Sequence, residues 1–206
     1  IAIAARLSGF STLVLPKGNG AEAALAQGLE VIEVEDLIET IEYLAGRKEI
    51  PATVRNSADG GVFYEAGDLK DIRGQTLAKR ALEIAAAGGH NLSFRGPPGT
   101  GKTILARSLP SLLPSLSLEE TLEVSKIYSI AGLLSDERPF LSSPPFRNPH
   151  HTSSYTAIVG GGSYPRPGEV TLAHRGVLFL DEFPEFDRRV LESLRQPLEE
   201  HSVTVA

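Results

Sequence analysis

The sequence predicts an α/β fold in three layers, with helices on both faces of a parallel sheet, and three observations predict it. The strand-like run 91–95 passes into a glycine-rich loop and straight on into a helix-like segment. A second apolar run, 177–180, ends in two adjacent carboxylates, Asp181 and Glu182. Ahead of both, residues 1–47 alternate strand-like and helix-like stretches. Such alternation calls for parallel pairing, because the connection between parallel strands has to be long enough to carry a helix.

Composition sets the outer limits. A chain of 206 residues holds one full domain, or one domain plus part of another. Apolar residues at 41% and charged residues at 22% match a globular domain and exclude fibrous, collagen-like and disordered chains. No stretch approaches the roughly 18 uninterrupted apolar residues of a membrane helix, and no basic segment followed by an apolar run opens the chain. With no cysteine there is no disulfide framework and no thiolate metal site. These features point to a cytoplasmic protein without membrane attachment. The net charge of -6 is concentrated before residue 71, where 6 basic face 11 acidic side chains, against 14 and 15 afterwards. Binding DNA would therefore need a local basic patch or a ring of subunits. The chain has no methionine and begins at Ile1, which reads as a fragment or a chain whose start is missing.

Taken in order, an alanine-rich opening is followed by the β-rich run 11–15, a helix-like stretch 21–27 and an apolar run 29–34. Residues 36–44 carry Leu37, Ile38, Ile41 and Leu44 at helical spacing, and Gly46 closes that helix. Residues 51–70 hold turn chemistry, Asn56-Ser57 and Asp59-Gly60-Gly61, and read as a linker between an α/β segment, 1–50, and a second domain, 71–206. That domain opens with a helix placing Leu77, Ala81, Ile84 and Ala85 on one face before Gly88-Gly89 stops it. Ser117 to Glu120 forms a capping box ahead of a helix carrying Leu118, Leu122 and Ile127. Residues 187–198 form a last helix with Val190, Leu191, Leu194 and Leu198 on one stripe.

The chemistry sits in Gly96-Pro97-Pro98-Gly99-Thr100-Gly101-Lys102-Thr103, with Ile104 continuing into the helix. Glycines let the backbone curl round a phosphate chain with its N–H groups inward, and the following helix start adds partial positive charge. Lys102 supplies a full charge for the β- and γ-phosphates, and Thr103 offers a hydroxyl to Mg²⁺. The bare pattern arises by chance in roughly one per cent of chains this long, and its strand-loop-helix setting lowers that figure. The strand ending in Asp181 and Glu182 completes the site: Asp181 for the magnesium through a water, Glu182 to orient and polarise the attacking water. The expected ligands are ATP and Mg²⁺.

From Gln75 to Thr103 and from Phe146 to Pro197 the sequence resembles the magnesium-chelatase-like AAA+ ATPases of the YifB/ComM family. The text that carries this is Asp71-Ile72-Arg73-Gly74-Gln75, the run 81–91, the phosphate loop, Pro149-His150-His151-Thr152, Val159-Gly160-Gly161-Gly162, the run 165–170 and the run 172–187. Residues 4–10 and 14–19 are similar to the end of the Lon-protease-like domain that precedes the ATPase in that family. The resemblance implies a P-loop NTPase (AAA+) αβα core, incomplete at its C-terminus. It implies that Lys102, Thr103, Asp181 and Glu182 keep their motif roles and that Ile72 lies near the adenine. It directs 146–168 towards the pore of a ring, a hexamer of identical subunits, where Arg147, Arg166 and Arg175 are available to DNA. It also implies that sensor 1, the arginine finger and the lid follow Ala206, so the isolated chain is expected to hydrolyse ATP poorly. Alternatives are an ATPase driving metal insertion into a tetrapyrrole and a regulatory module of a Lon-like protease.

Other residues have plainer readings. His150-His151 lacks a carboxylate at ligand spacing and is read as no metal site. Gly160 to Gly162 is read as a hairpin tip. The acidic run 30–42 is read as a solvated amphipathic face. Ser93 and Arg95 fall where the first strand should be buried, and an unpaired arginine there would be costly.

Overall fold

The computed structural model describes residues 1–24, 26, 28–53, 67–135, 140–162, 164–200 and 202–204. The turn signals at 56–57 and 59–61, and with them most of the expected linker, lie outside the described residues. The chain divides into two compact units, Ile1–Gly61 with Ser135–Phe140 and Val62–Leu134 with Leu141–Ala206. Among the described residues no helix is long and apolar enough to cross a membrane.

The first unit runs α1 (Ala2–Leu7), β1 (Thr12–Pro16), α2 (Gly20–Ala23), β2 (Glu30–Val34) and α3 (Leu37–Leu44). The two strands pair in parallel, with Leu13 opposite Val31 and Leu15 opposite Glu33. Among the described residues its buried apolar side chains are Ala23, Ala26, Val31, Ile32, Val34 and Phe140. Asp36 caps α3 by accepting the Glu39 N–H at 2.8 Å. The helix falls where the period predicts it, but its apolar stripe, Leu37, Ile38, Ile41 and Leu44, is exposed. Periodicity fixes which residues share a face and is silent on what covers it.

The second unit begins with a single 3₁₀ turn, Leu69–Asp71, and α4 (Thr76–Gly88), which ends on Gly89 in the left-handed conformation. Its inward face is Leu82 and Ala85; of the predicted stripe Ala85 is buried and Ala81 half-buried, whereas Leu77 and Ile84 are exposed. Residues 91–95 join no ladder. A strand exists through its neighbours' hydrogen bonds, and no described strand lies beside this one. Arg95 is exposed, and so it carries none of the burial cost expected for it.

The phosphate loop leads into α5 (Lys102–Ser108), and α6 (Leu118–Ile130) follows behind its capping box. The buried face of α6 is Thr121, Val124, Ser125 and Tyr128, while the predicted Leu118, Leu122 and Ile127 are half-buried at its margin. Then come β3 (Phe146–Arg147), α7 (Tyr155–Val159), β4 (Gly160–Gly161), β5 (Arg166–Pro167), α8 (Glu169–Leu172), β6 (Val177–Leu178), α9 (Arg188–Ser193) and α10 (Arg195–Glu200). β3 pairs with β6 in parallel, Phe146 opposite Val177, and β4 with β5 antiparallel; the expected hairpin is there, but Gly160 and Gly161 form its first strand rather than its tip. The predicted last helix is broken at Leu194. Pro197 has no N–H for the Ser193 carbonyl and crowds it, which ends one helix and starts another.

Two apolar clusters hold this unit. Ile158, Val159, Phe186, Val190 and Leu194 form one, backed by Leu178 and Leu180. Val124, Tyr128, Leu141 and Leu172 form the other. Two buried polar contacts tie the second: the Tyr128 hydroxyl donates to the Leu172 carbonyl at 3.0 Å, and the Leu141 N–H donates to Ser125 Oγ at 2.9 Å. Gly176 lies so close to the Pro145 carbonyl that a Cβ there would come within 2.1 Å of its oxygen. Only glycine lets β6 start against β3 at this point.

Candidate nucleotide site

The phosphate loop is made by local backbone chemistry. Gly99 and Gly101 stand at φ +77° and +84°, a region in which a Cβ is strained. Thr100 Oγ1 donates to the Pro97 carbonyl at 3.0 Å. Lys102 Nζ spans the loop, donating to the carbonyls of Gly96 at 3.0 Å and Pro97 at 2.9 Å. Gly96, Pro97, Pro98 and Ile104 are exposed and Thr103 is half-buried at the first turn of α5.

The segment before α4 meets the loop. Gln75 Nε2 donates to the Thr100 carbonyl at 3.1 Å, and Lys79 Nζ donates to the carbonyl of Ile72. Ile72, expected at the adenine, is half-buried. Gln75 thus touches the phosphate loop directly, a contact between residues 25 positions apart that its place in the sequence does not signal.

The carboxylates come from the other side of the unit. Thr103 Oγ1 donates to Asp181 Oδ2 at 3.0 Å, joining residues 78 positions apart. Asp181 Oδ1 accepts the Glu182 N–H at 3.0 Å. A hydroxyl and a carboxylate converging beside a phosphate loop are the hard oxygen donors that Mg²⁺ takes together with phosphate oxygens and water. The donor set therefore fits that ion. Among the described residues there is no cluster of three or more His, Cys, Asp or Glu of the kind that would cage a metal by itself.

Glu182 has φ +54°, and the other described non-glycine residues with positive φ are Gln75 and Arg175. Such backbone costs roughly 1 kcal/mol or more per residue. Two of the three thus touch the loop or follow Asp181. Asn148, Pro149, His150 and His151 line a cleft of about 310 Å³ with Asp181 and Glu182. In it His151 Nδ1 lies 3.1 Å from Glu182 Oε2. No spacing of residues signals this contact, which depends on two adjacent parallel strands delivering their following loops to one place.

The three arginines expected at DNA differ. Arg147 makes a two-pronged pair with Glu169, both bonds 2.6 Å, with both side chains largely buried. Arg175 bonds Glu123 at 3.1 Å and lies 3.4 Å from Glu120. Arg166 is exposed on β5, near the exposed Tyr164. Hydrogen bonds and charge from Ser117, His174 and Arg175 hold the Glu120 and Glu123 carboxyls below the usual range: for Glu120 the Ser117 backbone N–H contributes most, for Glu123 the His174 side chain.

A family model described as magnesium chelatase, subunit ChlI, matches residues 68–206. An uncharacterized protein of Mycobacterium tuberculosis is 48% identical over 205 residues, covering 99% of this chain and 40% of that protein. The competence protein ComM of Haemophilus influenzae is 44% identical over 199 residues, covering 94% and 38%. The protein YifB of Escherichia coli is 46% identical over 187 residues, covering 91% and 36%. The chain spans about two fifths of the length of these curated relatives.

Proposed function

The chain belongs to the magnesium chelatase, subunit ChlI, family, and from that premise we propose that it is the nucleotide-binding part of an AAA+ ATPase that hydrolyses Mg-ATP. The observation that carries the reading is the 3.0 Å contact between Thr103 and Asp181 beside a loop spanned by Lys102. Lys102 would leave the loop carbonyls for the β- and γ-phosphates, Thr103 and Asp181 would hold Mg²⁺, and Glu182 would orient the attacking water. The ion would neutralise charge on the phosphate oxygens. Little covalent chemistry is asked of these residues, which bind, position and polarise.

In the whole protein we assign this ATPase to a hexameric ring acting on DNA, with residues 1–50 closing a Lon-protease-like domain. The exposed pair Tyr164 and Arg166 on a short hairpin suits a nucleic-acid strand, since an aromatic face stacks on bases and a guanidinium pairs with phosphate. A second reading, metal insertion into a tetrapyrrole, is favoured by the description of the matching family. Hydrolysis by the full-length protein with and without single-stranded DNA separates the two. On the DNA reading, DNA raises turnover, and Arg166→Ala reduces the stimulated rate more than the rate without DNA. An ATPase indifferent to DNA but dependent on chelatase partner subunits would replace it with the second reading, and no Mg-ATP hydrolysis at all would sink both.

A further inference from the structure

The geometry points to Gln75 as a positioning residue for the phosphate loop: its side-chain amide fixes the peptide between Thr100 and Gly101, so that the Gly101 N–H is held ready for a phosphate oxygen. The inference rests on the ATPase reading above and adds to it a residue outside the loop, 25 positions earlier in the chain.

That peptide needs fixing from outside. Gly99 precedes it at φ +77° and Gly101 closes it at φ +84°. Glycine takes either sign of φ about equally well, so a peptide unit beside it can turn over at little steric cost. In a trans peptide the C=O and the N–H that follows point in opposite directions. Turning this unit over would therefore replace the donor facing a phosphate by a carbonyl, which has no hydrogen to offer. The bonds inside the loop act elsewhere: Lys102 Nζ on the carbonyls of Gly96 and Pro97, and Thr100 Oγ1 on that of Pro97. The Thr100 carbonyl itself is held by Gln75 Nε2, at 3.1 Å.

The local structure around Gln75 is shaped for this reach. Gly74 and Gln75 are both left-handed, at φ +67° and +54°, and a side chain at such a φ is strained. Backbone strain of this kind persists only where the surroundings hold it, and it gathers at ligand clamps. Gln75 also stands just before the first turn of α4, where a side chain ordinarily accepts from the free N–H groups of the helix. It makes no such bond, and its amide goes to the loop instead. Its carbonyl accepts the Lys79 N–H at 2.9 Å, which starts the helix, while Lys79 Nζ donates to the Ile72 carbonyl. The helix is anchored in turn by the buried Leu82 and Ala85. A chain of contacts therefore runs from the packed side of α4 to one peptide of the loop.

The test separates the amide from the backbone that carries it. Gln75→Gly removes the amide and relieves the left-handed strain, whereas Gln75→Met keeps the length and the strain and removes only the amide. In the full-length protein both should weaken binding of Mg-ATP and of Mg-ADP by roughly 3- to 10-fold, the worth of one neutral hydrogen bond. KM for ATP should rise by the same factor with kcat within about twofold, since the loop grips ground state and transition state alike. The melting midpoint without nucleotide should not fall in Gln75→Gly, because glycine takes this φ without strain; stability and affinity then part company. Should Gln75→Met fail to fold, Gln75→Gly still decides. Wild-type affinity in either variant, or a Gln75→Gly protein whose midpoint falls along with its affinity, overturns the inference and leaves the ATPase reading standing. If the wild type binds no Mg-ATP, or Lys102→Ala binds it as tightly, it is the ATPase reading that fails, and the role of Gln75 falls with it.

Discussion

Around the phosphate loop large apolar side chains face outward: Leu77 is 84% exposed, Ile104 60%, and Leu92 and Ile84 lie uncovered beside them. Behind Asp181 and Glu182 the same residue types are inside, with Val190 at 2% and Phe186 at 4%. The two halves of one site are thus held by different physics. The loop half is shaped mainly by glycine torsions and hydrogen bonds within residues 96–103, with one bond from Gln75. The carboxylate half is shaped by packing between α7, β6 and α9. Changes on the loop side should therefore disturb ligand binding while sparing the fold, and changes behind the carboxylates should do the reverse.

The largest effect expected is on the chemistry. Glu182→Gln keeps the shape of the side chain and removes its charge, so Mg-ATP binding by the full-length protein should persist while hydrolysis falls by roughly 100- to 10,000-fold, or about 3 to 5 kcal/mol in barrier. Phosphate release measured under saturating ATP checks it, and a rate near wild type would remove Glu182 from the mechanism. On the packing side, Phe186→Ala deletes an aromatic ring from a closed cluster and should cost about 3 to 5 kcal/mol of stability. Ile104→Ala on the loop side should cost about 0.5 kcal/mol or less. Denaturant melts of the two variants would refute the division if Ile104→Ala proved the costlier change.

Lys102→Ala comes next and falls on the loop side alone. Removing the one full charge of the loop forfeits a charge-assisted bond to phosphate of roughly 1.5 to 3 kcal/mol, which is about 10- to 100-fold in Kd for Mg-ATP. The melting midpoint without nucleotide should hardly move, because Nζ bonds only carbonyls that are exposed to water. Titration calorimetry and thermal melts on the same samples report both numbers, and a large drop in midpoint would mean that the lysine braces the loop.

This division also decides what could be read from the sequence. The loop, the capping box at Ser117 and the hairpin at Gly160 depend on neighbours in the chain, and their residue types name them. The pairing of Thr103 with Asp181 was legible too, because strand-loop-helix and strand-carboxylate patterns each imply the other. What depends on covering surfaces was not. The stripes on α3 and α4 have the right period, yet Leu37, Ile38, Leu77 and Ile84 are exposed. Residues 91–95 look like a strand but pair with no described neighbour, and the exposed Arg95 needs no buried partner. Arg147 reads as a free cation until Glu169, 22 positions on, closes on it. The bond from His151 to Glu182 follows from β3 and β6 lying side by side, a long-range fact that no spacing encodes.

The smallest expected effect probes the margin of the packed half. Glu123 on α6 bonds His174 at 3.3 Å and Arg175 at 3.1 Å, just ahead of β6. These partners, His174 first, hold its carboxyl below the ordinary value near 4.5. A depressed acid contributes stability above that value and loses it as pH falls through the lower, folded value. Melting midpoints of wild type and Glu123→Gln should therefore differ at neutral pH and converge below about pH 4.5, as the wild-type carboxyl takes up its proton. Both partners are about half exposed, so the gap at neutral pH should be only about 0.5 kcal/mol and should shrink in high salt. Arg175 adds a reason for the pair to matter here, since its left-handed backbone opposes the contact that its side chain favours. A gap that persists undiminished at low pH would show that Glu123 acts by packing, as Val190 and Phe186 do, and would extend the packed half out to its surface.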